Sequence, residues 1–549
     1  MDRLATAMVL LLLAAPAVGA QPPPVRYTLE ATLHPAGDDA QPRIEGRARI
    51  ALHNRTPAAL HTLELHLYPN AFAHERTVFA REGGLSLRGV PLTRSGRMEL
   101  RQLALSDGRD LLAASRAPDA EADRTQLTVP LPEALPPGGR IEVEATFVVH
   151  LPSLTARMGE SAGFHMVAQW FPKLARLLPD GRWAQHPYHG LGEFHADFAD
   201  YVVTLRVPAA TVVAAPGERT AVRREGPLRV ERYRLARAPD FAWAAADDLE
   251  ITTAGTQGLR VEVYAGPRQR WLARRQARLT ARWSTALGRR LGPLPHRRLV
   301  VILPPSAARG AAGMEYAGLF VGWHANAASV IDPRSRPLHD AVTAHELAHQ
   351  WFPGLVATDE VSTPALDEGL AQWLGMDLLR REHGPDGPMA RLLGVRAGAY
   401  ELLAALLWRA QPAPGSLSPA HAYRPRQLAA AVYWRPALVL ETIRRSWGAA
   451  RLDAALGDYA RRHRHGHPGV PELAAAFDRA YWPGFAQRVL LPGLRGDPFA
   501  DALPPAPPGS LHNLRDRPRS DRLADAPSPP PLLARLLYAT QLLLGSLGP

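Results

Sequence analysis

The sequence predicts a multidomain α+β protein, in which an N-terminal all-β, sandwich-like domain precedes an α+β domain that ends in helices. Three observations carry that reading. Apolar and polar residues alternate from Tyr27 to about Val263, the period becomes helical at Pro267, and a helical His345-Glu346-Leu347-Ala348-His349 run follows the change. At 549 residues the chain has room for roughly two to four domains.

Residues 1–20 come first. Met1-Asp2-Arg3 is a short charged start, Leu4–Val18 is apolar, and Val18-Gly19-Ala20 puts small residues before Gln21. That order is a signal peptide, so a mature chain beginning near Gln21 and a periplasmic or secreted bacterial protein are expected. The apolar run is short for an uncleaved membrane anchor, so membrane association is not expected. The chain has no cysteine, which excludes disulfides, lipid-modified Cys and thiolate zinc sites and leaves His and carboxylates as the metal ligands.

Residues 21–265 are assigned to the β domain. Tyr27–Leu33, Ala48–Leu52, Asp200–Pro208 and Arg260–Tyr264 are its strands, separated by turn-rich breaks. Residues 266–490 form the second domain. Trp271, Leu272, Leu279, Trp283, Leu287 and Leu291 share one face of a helix opened by Pro267 and stopped by Gly292-Pro293. A buried strand Leu299–Leu303, a Gly/Ala-rich stretch around Gly310–Leu319 and helices near 337–352 and 365–382 come next. Residues 385–487 read as helices joined by Pro/Gly breaks. His463, His465 and His467 alternate before Pro468, which predicts a solvated interhelical loop rather than a second metal site. Residues 491–549 are Pro-rich and polar, as in Pro504-Pro505-Ala506-Pro507-Pro508, and read as a disordered tail. The apolar stretch Leu532–Leu547 is too short to span a bilayer.

The net charge is +12, which raises nucleic acid as a partner. The distribution argues against it. Lys173 is the only lysine, and the arginines are scattered through an Ala-, Pro- and Gly-rich chain, a profile of GC-rich bacterial coding rather than of a binding surface.

His345 and His349 lie one helical turn apart, so both imidazoles can reach one ion while Glu346 projects toward a metal-bound water. A chain with 21 histidines can produce that pattern in an ordinary amphipathic helix. Glu368, after an eighteen-residue spacer, completes the two-His, one-carboxylate set of a catalytic zinc. One Zn2+ per chain on His345, His349 and Glu368, with Glu346 as general base, is the expectation.

Gly313-Met314-Glu315-Tyr316, His345-Glu346-Leu347-Ala348-His349-Gln350-Trp351-Phe352 and Asp367-Glu368-Gly369-Leu370-Ala371 together resemble the aminopeptidase N family of zinc metallopeptidases, which also includes leukotriene hydrolase. The likeness spans about 25–487, and residues 266–490 look like its thermolysin-like α+β zinc catalytic domain. The β domain resembles a bacterial branch through Gln169-Trp170-Phe171-Pro172-Lys173 and Gly192-Glu193-Phe194-His195-Ala196-Asp197-Phe198. These read as core aromatics and turn residues, and Glu193 is given no catalytic role.

The resemblance implies that Glu315, carried with Gly313 and Met314, grips the substrate's free α-amine, although Tyr316 stands where the family has Asn. It also implies an oxyanion-stabilising Tyr in a Tyr-x-Lys-Gly-Ala context. Val432-Tyr433-Trp434-Arg435-Pro436-Ala437-Leu438 matches best, with Arg435 and Pro436 departing from the pattern, and Tyr423 is the competitor. The large C-terminal helical domain of full-size members has no counterpart here, so a more open site is expected.

Peptides with a free N-terminus are therefore the expected substrates. A different zinc hydrolase, an endopeptidase or epoxide hydrolase, is the alternative if Tyr316 and the missing domain reshape the amine pocket. The intact His345, Glu346, His349 and Glu368 argue against a non-catalytic binding protein.

Overall fold

The structure, a computed structural model, describes residues 23–37, 40–84, 90–192, 194–256, 258–324, 336–384 and 415–496. The leader, most of the Pro-rich tail, Glu193 and residues 385–414 lie outside them.

Val25, Tyr27, Leu29, Ala31 and Leu33 all face one way along Val25–His34, because successive side chains of a strand point to opposite faces. This strand is central in a seven-stranded sheet ordered Glu218–Glu225, Leu228–Ala238, Ala199–Pro208, Val25–His34, Arg43–His53, Arg140–His150, Arg97–Leu105. Its pairing with Ala199–Pro208 is parallel, and every other pairing in the sheet is antiparallel. A three-stranded sheet of Leu60–His66, Gln126–Leu135 and Lys173–Leu174 lies across it. Leu63, Leu65, Val129 and Leu174 meet Ile50, Leu52, Leu103 and Val143 there, which makes a sandwich with one apolar core.

The second unit holds a five-stranded sheet, in the order Glu250–Thr256, Leu259–Ala265, Arg298–Leu303, Leu319–Val321, Met314–Tyr316. The strand expected in the β domain over Arg260–Tyr264 is the strand Leu259–Ala265. It instead pairs parallel with Arg298–Leu303, and Val261 and Val263 belong to the helical core. Alternation reports that a strand has two unlike faces and says nothing of its partners, so the break between sheets falls before Glu250 rather than near 265. The five-stranded sheet is covered on both sides, which explains the unbroken apolar run Leu299–Leu303. Helices cover one face. On the other, the sheet Val212–Ala214, Trp243–Ala246, Phe164–Val167, Gly159–Ser161 packs Phe164 and Met166 against Val300, Ile302 and Tyr316.

The long helix Arg270–Leu291 turns its Leu272, Leu279, Trp283, Leu287 and Leu291 face inward. Beneath it run the histidine helix Arg336–Ala348 and the glutamate helix Glu368–His383. Asp340 ties the three together. Its fully buried carboxylate accepts from Arg275 Nε at 3.0 Å and Gln276 Nε2 at 3.0 Å, and His383 Nε2 lies 3.3 Å away.

Burial alone would raise the Asp340 carboxyl, but His383 and Arg275 hold it below its usual value. A depressed carboxyl contributes stability that is present above its unfolded pKa of about 3.9 and lost as pH falls through the folded value. Removing one partner of a buried pair costs about 3–5 kcal/mol. Asp340→Ala is therefore expected to lower stability by about that much near neutral pH, with the gap to wild type narrowing below about pH 4. Urea titrations at several pH values check this, and a gap that is constant with pH would exclude the ionised carboxylate as its source.

Candidate active site

His349 lies just past the end of the histidine helix, with its N–H still donating to the His345 carbonyl at 3.3 Å. The turn brings His345 Nε2 and His349 Nε2 to 3.1 Å, and Glu368 Oε2 lies 3.2 Å from each. Zinc bonds of about 2.0–2.1 Å in tetrahedral geometry place donor atoms about 3.3 Å apart, so this near-equilateral triangle fits that ion. His349 Nδ1 donates to the Phe352 carbonyl at 2.6 Å, which leaves Nε2 as the ligand atom. A second grouping, Glu315, His349 and Asp367, shares His349 and so offers no independent centre.

Two glycines of the glutamate helix allow the triangle to close. A Cβ on Gly375 would lie 3.0 Å from His345 N and 3.1 Å from its Cα, so the two metal-bearing helices touch backbone to side. A Cβ on Gly369 would overlap the Pro436 ring and sit 3.3 Å from the Val432 carbonyl oxygen. Asp367 starts the helix, its Oδ1 accepting from Glu368 N at 2.7 Å.

Glu346, Asp367 and Glu368 are buried around the two imidazoles, and Glu315 Oε1 lies 4.0 Å from His349 Nε2. Burial, and next the Glu315 carboxylate, push the Glu346 carboxyl well above its usual value. Burial disfavours a charged His349, but the Glu315 and Glu368 carboxylates outweigh it and raise the imidazole, whereas burial lowers His345. So many carboxylates buried together are what a divalent cation compensates.

Tyr433 comes from the π-helical turn Ala429–Trp434 that runs into the helix Arg435–Trp447, a wide turn of the kind found at functional sites. Its hydroxyl donates to Glu368 Oε1 at 2.6 Å and its ring stacks on His345 at 5.9 Å. Tyr423 is engaged elsewhere. Its hydroxyl donates to the Gly415 carbonyl at 2.6 Å and accepts from Ser418 N.

Glu315 sits on the edge strand Met314–Tyr316, which is fixed from two sides. Gln350, just past His349, donates through Nε2 to the Tyr316 carbonyl at 3.1 Å and accepts from Gly318 N at 2.9 Å. Arg157 of the first unit donates from Nε and Nη2 to the Gly313 carbonyl at 2.9 and 2.6 Å. Beyond Glu315 lies a small cavity of about 30 Å³, lined by Met314, Tyr316, His349 and Glu360 on one side and by Gln169, Lys173 and Asp240 on the other.

Residues 293–482 match the peptidase family M1 domain. This segment is a peptidase family M1 domain. The two-His, one-Glu set lies inside it, so the segment carries the ligand set of a zinc metallopeptidase. The M1 zinc metallopeptidase of Deinococcus radiodurans has a similar fold, with a TM-score of 0.58 and 19% identity over 88% of this chain and 96% of that one. A mutant of the same protein bound to Tyr-Ser-Ala superposes with a TM-score of 0.58, and a mutant bound to L-arginine also with 0.58, each at 19% identity and the same coverage of both chains. A comparison with curated protein sequences finds no significant match.

Several residues that border the M1 site came from the first unit unannounced. Arg157 and Gln169 have left-handed backbones, φ +63° and +51°, and the order of residues around them carries no signal of that conformation. The segment His463–His467 is also not a solvated loop. His465 N donates to the Leu355 carbonyl at 2.7 Å, His467 Nε2 donates to the Ala196 carbonyl at 2.9 Å, and His467 packs edge-on against His195. It wedges between the first unit and the turn after His349. Among the described residues none of these histidines joins a metal-holding group.

Purified protein is expected to carry one zinc per chain by elemental analysis, and His345→Ala to lose most of it. Full occupancy in that variant would remove His345 from the ligand set. Gly369→Ala is expected to force the Tyr433 segment outward and cost about 1–3 kcal/mol, measurable by chemical denaturation. A stability equal to wild type would mean that the helix contact at Pro436 yields freely.

Proposed function

We propose that this M1 metallopeptidase is an aminopeptidase, removing residues from peptides with a free N-terminus. The observation that carries the reading is Glu315, a carboxylate 4.0 Å from a metal-ligand imidazole at the mouth of a cavity closed by the first unit. A peptide threaded past the metal meets a wall after a short distance. A cleft for internal cleavage would have to continue through it.

The polar groups there suit an ammonium. Glu315 offers a charge-assisted contact. Gln169 lines the same cavity with Oε1 buried and, among the described residues, without a hydrogen-bond partner, which supports a second acceptor for the amine. The Tyr-Ser-Ala substrate on the Deinococcus mutant and the L-arginine on a two-domain M1 mutant support a site that takes peptides and free amino acids.

His345, His349 and Glu368 would hold a zinc ion, which would supply a Lewis acid for the scissile carbonyl and for the attacking water. Glu346 takes the proton of the attacking water and passes it to the leaving amine. The Tyr433 hydroxyl, 2.6 Å from Glu368 Oε1, donates to the oxyanion as charge develops.

Glu346→Gln is expected to keep zinc and lose about 10²–10⁴-fold in turnover; activity within a few-fold of wild type would assign the base elsewhere. Wild type should strongly prefer free over N-acetylated aminoacyl substrates. Glu315→Gln should erode that preference at unchanged zinc content. Equal rates on both substrate classes in the wild type would make the chain another kind of zinc hydrolase.

A further inference from the structure

Lys173 is the single lysine of a chain with 64 basic residues of the Lys and Arg types. It is also among the most deeply buried of its charges, 2% exposed, in the wall of the cavity beyond Glu315. Its ammonium lies 3.4 Å from Asp240 Oδ2 and over the Phe194 ring at 5.6 Å. Asp240 is buried too, and its other oxygen accepts from Phe241 N at 2.7 Å.

The same Oδ2 accepts from Gln169 Nε2. That contact decides which end of the amide faces the cavity. A carboxylate paired with an ammonium is an acceptor at both oxygens, so the amide must turn its NH2 to Asp240 and its carbonyl oxygen away. Gln169 lines the cavity, and its Oε1 is the atom left buried and, among the described residues, without a partner.

We propose that Lys173 is a positioning residue of the amine pocket: by fixing Asp240 as an acceptor, it turns the Gln169 amide so that a carbonyl oxygen, not an NH2, faces the substrate's α-ammonium. This rests on the aminopeptidase reading and deepens it. A buried carboxyl deprived of its counter-charge takes up a proton and becomes a donor. The amide can then reverse and aim two N–H donors at a cation. An arginine does not replace Lys173. Its flat guanidinium carries five donors, and beside Lys173 lie one carboxylate oxygen and an aromatic face. Burial lowers the Lys173 ammonium, opposed by Asp240 and then by Glu360 of the second unit, so its charge depends on carboxylates from both units.

The test is a double-mutant cycle on the zinc-loaded full chain, with free aminoacyl substrates. Gln169→Leu, Lys173→Met and Lys173→Arg are each expected to raise KM by roughly 10- to 100-fold, with kcat within a few-fold and zinc content unchanged. Lys173→Met placed on Gln169→Leu should add nothing, because Lys173 acts through that amide. Asp240→Asn, a near-isostere, should behave as Lys173→Met does and serves if the methionine variant folds poorly. Additive effects with Gln169→Leu, unchanged KM in Lys173→Met and Asp240→Asn, or full rescue by arginine would overturn the proposal. None of those outcomes touches the wild-type preference for free over acetylated substrates, which tests the underlying reading separately.

Discussion

Two imidazoles and a carboxylate, buried and held within 3.2 Å of one another, form the constraint on which the second half of the chain depends. Charge withdrawn from water costs several kcal/mol per group unless it is compensated, and packing must hold the donors together against that cost. The means are steric. Gly375 lets the glutamate helix rest on the His345 backbone, Asp340 joins three helices by one carboxylate, and Trp351 Nε1 anchors the turn after His349 to the Gly292 carbonyl at 2.8 Å. Each contact lies outside the triangle and fixes one of its corners.

The amine side of the site is governed by a second constraint, shared between the two units. The strand of Glu315 is an edge strand, and edge strands are held by few backbone bonds. Here Gln350 reaches it from the metal side and Arg157 from the first unit. Glu315 is thereby referenced to both. A shift of one unit against the other would move the carboxylate and the Gln169 wall while leaving the metal ligands, which all belong to the second unit, in place. Recognition of the N-terminus is thus mechanically separable from metal binding.

How much of this could be read in advance follows the range of the interactions. The His345/His349 pair was legible because one helical turn sets its geometry, and Glu368 because it opens the next described helix. The helix over 270–291 showed its apolar stripe, and the alternation of the strands was plain. Partnership was not. Leu259–Ala265 alternates like the strands of the β domain, yet its hydrogen bonds go to Arg298–Leu303, and nothing within the strand encodes that choice. The same limit hid Arg157, Gln169 and the His463–His467 wedge, whose roles depend on distant neighbours and, for the first two, on a left-handed backbone.

Two of the departures from the family pattern find a common explanation in packing. Tyr316 contributes its carbonyl to Gln350 and buries its ring in the core between the sheets, so the residue type at that position is set by the interface behind the strand. Pro436 sits near the start of its helix, where proline lacks no needed donor, and its ring fills the space left by Gly369. Pro436 offers no group that binds an amine or an oxyanion. The groups proposed to do so, the Glu315 carboxylate and the Tyr433 hydroxyl, keep their places beside His349 and Glu368. Substitution is tolerated where a position supplies backbone or bulk, and the proposed chemistry rests on neighbours that supply a charge or a proton.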